Sequence, residues 1–355
     1  MGIEELRAKI DELDVRIVAL LNERARLAVD IGKIKRANRA LTYAPDREEQ
    51  VLRRVANANT GPLPAASLRS IYTEVISACR ALERPVRVAF LGPEGTFAHQ
   101  AVKRQFGSAA EYLPVNSISG VFAEVESERA DHGVVPIENS SEGGVGETLD
   151  AFMESQLKIC GEIQLRIHHN LMARSRDAQI TRIYSKAEVL GQCRRWLAEH
   201  YPAAELKETA STTQAARLAT AEPESAAIAH EEAARIYGLT ILHANIEDNP
   251  HNATRFFVLG KTFGQPTGND KTSILCFIKD EVGALVSILR PLSDSGINMT
   301  KIESWPSRRK VWDYCFFIDF DGHCEEEPVR RALAEVSRHC SQMKLLGSYP
   351  KAPTI

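Results

Sequence analysis

At 355 residues, 44% hydrophobic and 26% charged, the chain has ordinary globular composition and enough length for two or three domains, each with its own core. Its 44 basic and 47 acidic residues leave a net charge of −3, which implies no global pull toward nucleic acid or a membrane surface. No apolar run approaches the ~18 residues of a membrane span, the charged start lacks a signal-peptide core, and seven scattered cysteines without a CxxC pair speak for a reducing cytoplasm and against a zinc site or disulfide framework.

Residues 1–84 carry helical periodicity. Leu6, Ile10, Leu13, Ile17, Leu20, Leu27, Ile31 and Ile34 recur mostly at steps of three and four, which predicts one long helix with an apolar seam. Arg24 is the polar interruption of that seam, and a buried cation is costly unless it is paired or used. Lys35 follows about 16 Å further along the same face, a gap that two long side chains can close on a small ligand. Arg7 precedes Arg24 by about 26 Å, too far for both to grip one small diacid. If Arg7 serves the same site, it must arrive from a second, antiparallel chain. The alternative on these residues alone is a coiled-coil seam with one register-setting polar residue. Tyr43-Ala-Pro45 breaks the pattern, residues 46–58 read as a second helix opening on Arg47-Glu48, and Thr60-Gly-Pro-Leu-Pro64 as a turn. A third helix carries Leu68, Ile71, Val75, Cys79 and Leu82 on one face and ends near Glu83.

From Val86 the pattern changes to short apolar runs alternating with helical stretches. Strands are expected at 86–91, 133–137, 180–184 and 226–229, and helices starting near Ala98, Ala187, Thr213 and Glu231. This predicts an α/β unit with covered, largely parallel sheets, long enough for two lobes and a cleft. Polar residues collect where strands end, the usual ligand position in open α/β sheets: Gly92-Pro-Glu-Gly-Thr-Phe97, Glu138-Asn-Ser-Ser141, Ser185 with Gln192 one helix away, and Ser211-Thr-Thr213. Glu142-Gly-Gly-Val-Gly146 is not followed by Gly-Lys-Ser/Thr, so it is not read as a phosphate loop. His168-His169 lacks a third ligand at metal spacing and is read as structural. Asn252-Ala-Thr-Arg-Phe256 places an amide, a hydroxyl, a guanidinium and an aromatic at the entry of an apolar strand. It is either a capped strand entry or a weak acid beside a cation.

Gly264-Gln-Pro-Thr-Gly-Asn-Asp270 reads as a linker. Beyond it the expected order is strand (272–278), helix (283–292), strand (297–303), strand (312–320), helix (327–340) and a short strand near Leu345. This is a ferredoxin-like βαββαβ unit.

The first segment resembles the all-helical chorismate mutase family through Leu6-Arg7-x-Lys9-Ile10-Asp11, Glu23-Arg24, Gly32-Lys33-x-Lys35, Pro45-Asp-Arg-Glu48 and Cys79…Glu83. The resemblance implies that Arg7 of a partner chain, Arg24 and Arg47 bind two carboxylates, Glu48 the ring hydroxyl, and Lys35 with Glu83 the ether oxygen. A Claisen rearrangement needs a held conformation and charge complementarity, not a nucleophile. Ala44 stands where relatives often have Asp, and Glu83 where many have Gln. A carboxylate donates to an ether oxygen only when protonated, so mutase activity is expected to fall as pH rises and Glu83→Gln to flatten the profile.

Gly92-Pro-Glu-Gly-Thr-Phe97, Val135-Pro-Ile-Glu-Asn-Ser140, Tyr184-Ser185 with Gln192, and Asn252-x-Thr-Arg-Phe256 resemble prephenate dehydratase. The resemblance implies a two-lobed fold like that of periplasmic binding proteins, with Thr254 protonating the departing hydroxyl and Arg255 holding a carboxylate. Around the substrate it places Thr96, Glu138, Asn139, Ser140, Ser185, Gln192, Ser211, Thr212 and Phe256. Lys186 replaces a His common after that Ser. Gly283-Ala-Leu285 and Glu303-Ser-Trp-Pro306 resemble an ACT regulatory domain, which implies feedback by phenylalanine near Gly283, Ala284, Leu285, Asn298, Glu303 and Ser304. Trp305 stands where Arg is common.

The expectation is a multidomain cytoplasmic enzyme without metal or cofactor: an all-α mutase domain (1–84), a two-lobed α/β dehydratase domain (85–263) and an α+β ACT domain (271–355). It converts chorismate through prephenate to phenylpyruvate, takes L-phenylalanine as allosteric effector, and forms a homodimer or larger homo-oligomer without nucleic acid or membrane partners. The alternatives are a dehydratase whose helical domain only dimerises or regulates, and a non-catalytic amino-acid sensor.

Overall fold

The computed structural model describes residues 2–37, 43–279, 281–307 and 313–353. The N-terminal unit is helical: α1 (Ile3–Ala37), α2 (Pro45–Asn57) and α3 (Ala65–Glu83). Pro45 opens α2 where its missing N–H costs nothing. α1 packs on α3, yet Leu6, Ile10, Leu13, Ile17, Leu20, Leu27, Ile31 and Ile34 stay exposed. The long helix predicted from the seam is present, and its apolar stripe is uncovered within one chain.

Next come β1 (Arg87–Leu91), α4 (Phe97–Phe106), β2 (Glu111–Val115), α5 (Ile118–Glu126), β3 (His132–Asn139), β4 (Gly143–Gly144), α6 (Gly146–Glu154) and β5 (Lys158–Arg166). The chain then builds a second lobe from β6 (Asn170–Ala173), β7 (Arg182–Ser185), α7 (Ala187–Gln192), α8 (Arg194–His200), β8 (Glu205–Glu208), α9 (Thr212–Ala221), β9 (Ser225–Ala229), α10 (Glu231–Tyr237) and β10 (Thr240–His243). Strand β11 (Ala253–Gly260) returns to the first lobe. The two sheets run β2-β1-β3-β11-β5, with β4 paired to β3, and β10-β6-β9-β7-β8.

The sheets are more mixed than the expected largely parallel ones. β1 pairs parallel with β2 and β3, and β7 with β8 and β9, but the returning β11 inserts antiparallel between β3 and β5. β6 is likewise antiparallel to both β9 and β10. The two crossings between lobes bond to each other: Ile167 N–H donates to the Asn252 carbonyl, Ile246 N–H to the His169 carbonyl, and His168 Nδ1 lies 2.7 Å from Glu247 Oε1.

The last unit has the expected βαββαβ order: β12 (Asp270–Ile278), α11 (Ala284–Asp294), β13 (Met299–Pro306), β14 (Tyr314–Asp321), α12 (Glu327–His339) and β15 (Cys340–Pro350). The sheet runs β13-β14-β12-β15, with β13 at an edge. Trp312, expected to begin the third strand, lies outside the described residues. One face of this sheet is continuous with the first lobe's core, where Leu275, Phe277, Phe317, Leu346 and Tyr349 pack with Ile159 and Phe257. Burying those apolar faces against each other is what fixes the C-terminal unit to the first lobe. Gly347 allows this approach, because a Cβ there would stand 2.1 Å from the Ile159 carbonyl oxygen.

Candidate active sites

The helical unit holds a cavity of about 390 Å³ lined by Arg24, Lys35, Arg47, Glu48, Arg80 and Glu83 together with apolar residues of all three helices. Arg24 comes from the middle of α1 and hydrogen-bonds the Val75 carbonyl; Lys35 comes from its end and stands 3.9 Å from Glu83. The start of α2 supplies Arg47 and Glu48. Burial lifts the Glu48 carboxyl above its ordinary range, opposed by Arg80 and then by Lys35 and Arg24. Gly32 makes room for Glu83, since a Cβ at 32 would stand 2.7 Å from Glu83 Cγ. Arg7 is not at this cavity: it pairs with Glu4 on the exposed first turns of α1. Ala44 lines the cavity with a methyl group.

The second site lies where β3 and β11 face the second lobe. Thr254 and Asn139 are cross-strand partners, and Asn139 Nδ2 donates to Thr254 Oγ1 at 2.9 Å and to Asn252 Oδ1 at 3.0 Å. Asn252 Nδ2 donates to Gln192 Oε1 at 3.0 Å, and Gln192 Nε2 to Glu142 Oε1 at 3.2 Å. His169 Nε2 is 2.8 Å from the same Gln192 oxygen. Burial lowers the His169 pKa, so a neutral ring donates there from Nε2–H, and its buried Nδ1 lacks a partner among the described residues. The chain of amides runs from the lobe crossing to the Thr254 hydroxyl and fixes each orientation on the way. Ser140 Oγ joins it, accepting from Ala253 N–H and reaching Asn252 Oδ1.

Thr96 and Ser211 cap the helices that begin at the cleft, accepting from the N–H groups of His99 and Gln214. Thr212 is buried at the first turn of α9.

Four expected substrate contacts take other roles. Successive strand residues face opposite sides, so Arg255 and its partner Glu138 point away from Thr254 and Asn139. Arg255 donates to Glu162 at 2.7 Å, to Asp319 at 2.5 Å and to the Tyr349 hydroxyl at 3.0 Å, with its guanidinium 4.8 Å from the Phe257 ring centre. Burial opposes its charge, but Tyr349, Asp319 and Glu162 outweigh that and keep it protonated. Glu138 lies 3.1 Å from Lys301, which also pairs with Glu303. Phe256, past a register shift in β11, is buried in the core with Phe90 and Val134. Ser185 is buried and donates to the Ile228 carbonyl. Three residues that contact the two candidate sites were not named as site residues from sequence: Asn252, which stood inside the singled-out stretch, His169, which read as structural, and Arg80.

In the C-terminal unit, Gly283 holds a left-handed conformation (φ 85°) ahead of α11, with Ala284 buried and Leu285 at the surface. Asn298 bonds to Asp321, and Ser304 is exposed on β13. Glu303 lies against Gly144, and Trp305 donates to Asp150 at 2.8 Å, so β13 also touches the loop after β3 and helix α6.

Three family models match the chain: chorismate mutase type II over residues 6–84, prephenate dehydratase over 88–263 and the ACT domain over 272–338. A bifunctional chorismate mutase/prephenate dehydratase of Aquifex aeolicus is 46% identical, with 99% of this chain and 98% of the relative aligned. The structure of an Arthrobacter aurescens prephenate dehydratase in complex with L-Phe superposes with a TM-score of 0.70 at 36% identity, over 76% of this chain and 92% of that one. A chain described as the quorum-quenching acylase GqqA superposes with a TM-score of 0.68 at 30% identity, over 75% and 98%, so the lobed frame alone does not dictate chemistry. Full-length similarity and all three family models agree: this chain belongs to the bifunctional chorismate mutase/prephenate dehydratase family.

Proposed function

We propose that the two sites work in sequence, the helical cavity rearranging chorismate to prephenate and the lobe cleft converting prephenate to phenylpyruvate. The cavity suits the first step because four cations, Arg24, Lys35, Arg47 and Arg80, converge there with Glu48 and Glu83 in an otherwise apolar lining. Arg24 and Arg47 take the two carboxylates, Glu48 accepts from the ring hydroxyl, and Lys35 with Glu83 serves the ether oxygen as its C–O bond breaks. Arg7 of a second copy completes the site, and the exposed apolar stripe of α1 favours that copy.

In the cleft, Thr254 gives its proton to the departing ring hydroxyl, which leaves as water. The carboxylate leaves as CO2, and its C–C bonding electrons aromatise the ring. The observation that carries this reading is the Asn139 Nδ2–Thr254 Oγ1 hydrogen bond of 2.9 Å. It occupies a lone pair rather than the O–H, and it steadies negative charge developing on Oγ1 as the proton moves. Gln192, Asn252 and Ser140 hold Asn139 and the strand ends in place, while Thr96, Ser211 and Thr212 border the cleft. L-phenylalanine binds the ACT unit near Gly283, Ala284, Leu285, Asn298, Glu303 and Ser304 and inhibits; the L-Phe complex of the Arthrobacter relative supports this reading. The free edge of β13 is a second surface for a homodimer or larger assembly. Seven free cysteines suit a cytoplasmic location.

The test is a chorismate assay following chorismate loss and phenylpyruvate gain, with and without phenylalanine. Thr254→Ala should stop phenylpyruvate formation and spare the mutase, and Arg24→Ala should stop chorismate loss while still forming phenylpyruvate from added prephenate. Near-wild-type phenylpyruvate formation by Thr254→Ala would sink the assignment.

A further inference from the structure

Arg80 has no role in the chemistry assigned above, yet it is one of the few buried cations among the described residues. It lies on α3 between Cys79 and Glu83, lines the mutase cavity with them, and reaches from there to the first lobe. Only 6% of it is exposed. A buried guanidinium survives only where its N–H groups and charge are met, and here both ends are met. Nη1 is 2.5 Å from Glu48 Oε1, and Nη2 donates at 2.7 Å to the carbonyl of Phe106. Phe106 is the last residue of α4, so that carbonyl lies at the negative end of the helix dipole, a favourable place for a cation. The guanidinium carbon also sits 5.3 Å from the Tyr43 ring centre and 5.6 Å from that of Phe106. Tyr43 is tied to the same lobe, accepting from Gln105 Nε2 at 3.0 Å.

We propose that Arg80 is a positioning residue for the mutase reaction: anchored on the first dehydratase lobe, it pairs with the Glu48 carboxylate and holds it aimed into the cavity. The mutase half-site is therefore not closed within the helical unit, because the group that orients its acceptor takes its own orientation from α4. This rests on the reading of the cavity as a mutase site with Glu48 as acceptor of the ring hydroxyl.

A purely structural staple would hold the two units together without touching Glu48's titration. In the mutase cavity the charged groups facing Glu48 are Arg80 and Glu83 from α3, Arg24 and Lys35 from α1, and its neighbour Arg47 on α2. Glu49, Arg69, Arg104, Glu162 and Lys351 line a second cavity that Glu48 also borders, and the Tyr43 hydroxyl lies close enough to feel its charge. Burial raises the Glu48 carboxyl, and Arg80 is the strongest opposing group. An acceptor carboxylate works only when ionised, so activity is lost as pH falls through its pKa. Removing Arg80 raises that pKa, and the acid limb of the mutase profile must move to higher pH.

The experiment compares full-length wild type, Arg80→Leu and Arg80→Lys. Mutase kcat/KM is measured against pH, and dehydratase activity with prephenate supplied directly. Arg80→Leu should lose roughly ten- to a hundredfold of mutase kcat/KM near neutrality, with its acid limb displaced upward. Arg80→Lys, which keeps the charge, should lose less and be displaced less. Dehydratase turnover should stay within about twofold in both, which reports an intact first lobe. An undisplaced acid limb, or parallel loss of both activities, overturns the inference. If wild type itself does not consume chorismate, the mutase reading fails instead.

Discussion

Arg255 Nη1 lies 2.5 Å from Asp319 Oδ2, so the residue that follows Thr254 in β11 is bonded to the C-terminal unit rather than to the cleft. Asp319 is fully buried and also accepts from Ser273 Oγ. Asp319→Asn removes its charge while keeping its size, and leaves Arg255 with fewer compensating anions. Breaking a buried pair costs about 3–5 kcal/mol. The variant should therefore melt at lower temperature and lose dehydratase activity and phenylalanine response, with mutase activity retained. A melt and a phenylalanine response like those of wild type would contradict this coupling.

The amide chain makes a separate prediction. Asn139→Asp keeps the shape but replaces the group that donates to both Thr254 and Asn252. Loss of one such donor at a developing charge typically costs about 10²–10³ in rate. Prephenate-initiated turnover should fall by about that much at neutral pH, while chorismate consumption stays at the wild-type rate. Equal turnover in the variant would remove Asn139 from the chemistry.

Gly32→Ala tests the packing under the ether-oxygen site. Alanine is better than glycine in a helix by about 1 kcal/mol, so the substitution does not harm α1 itself. Its Cβ would however stand 2.7 Å from Glu83 Cγ and push that side chain aside. The expected result is an unchanged or raised melting temperature with mutase kcat/KM lowered. Full mutase activity would show that Glu83's position is unimportant.

Buried His132 gives the stability a pH dependence. Burial lowers its pKa from 6.5 to about 4, against its hydrogen bond to the Leu259 carbonyl. Above pH 6.5 the ring is neutral in both folded and unfolded chains, and its contribution is fully present. As pH falls toward 4, only the unfolded chain takes up the proton, so stability is lost and then levels off. The full effect amounts to about 3 kcal/mol. His132→Phe, which keeps a ring stacked on Phe106 and edge-on to Tyr43, should flatten this part of the melting-temperature profile between those pH values. An unaltered profile would assign the dependence to other groups.

Arg7 offers a test of the second copy. Within its own chain it pairs with Glu4 and stays far down α1 from the cavity. Arg7→Ala and Arg24→Ala should each be mutase-inactive alone. Co-refolded in equal amounts, half the dimers are mixed and half their sites intact, so about a quarter of wild-type activity should return. No recovery would mean that the site does not combine Arg7 and Arg24 from different chains.

Much of this was legible without coordinates. The heptad-like stripe of α1, the proline and glycine punctuation near 45, 61–64 and 264–268, and the change to short β-branched runs after Val86 each reflect local rules that operate within a few residues. Arg24 on an apolar seam, and polar side chains where strands end, pointed to both sites for the same reason. The antiparallel insertion of β11 was not legible, because it depends on a strand returning from the other lobe across nearly ninety residues.

The sequence by itself determined which residues are available: a carboxylate, an amide, a hydroxyl and a guanidinium packed into Glu138-Asn139 and Thr254-Arg255. Only the tertiary structure decided how they divide. Pairing β3 with β11 puts Asn139 and Thr254 on the cleft side and Glu138 and Arg255 on the side of the C-terminal unit. Neighbours in a strand must face opposite ways, and which way each faces is settled by the elements packed above and below the sheet. Lys301, Asp319 and Tyr349 claim one face, and Gln192 and Asn252 the other.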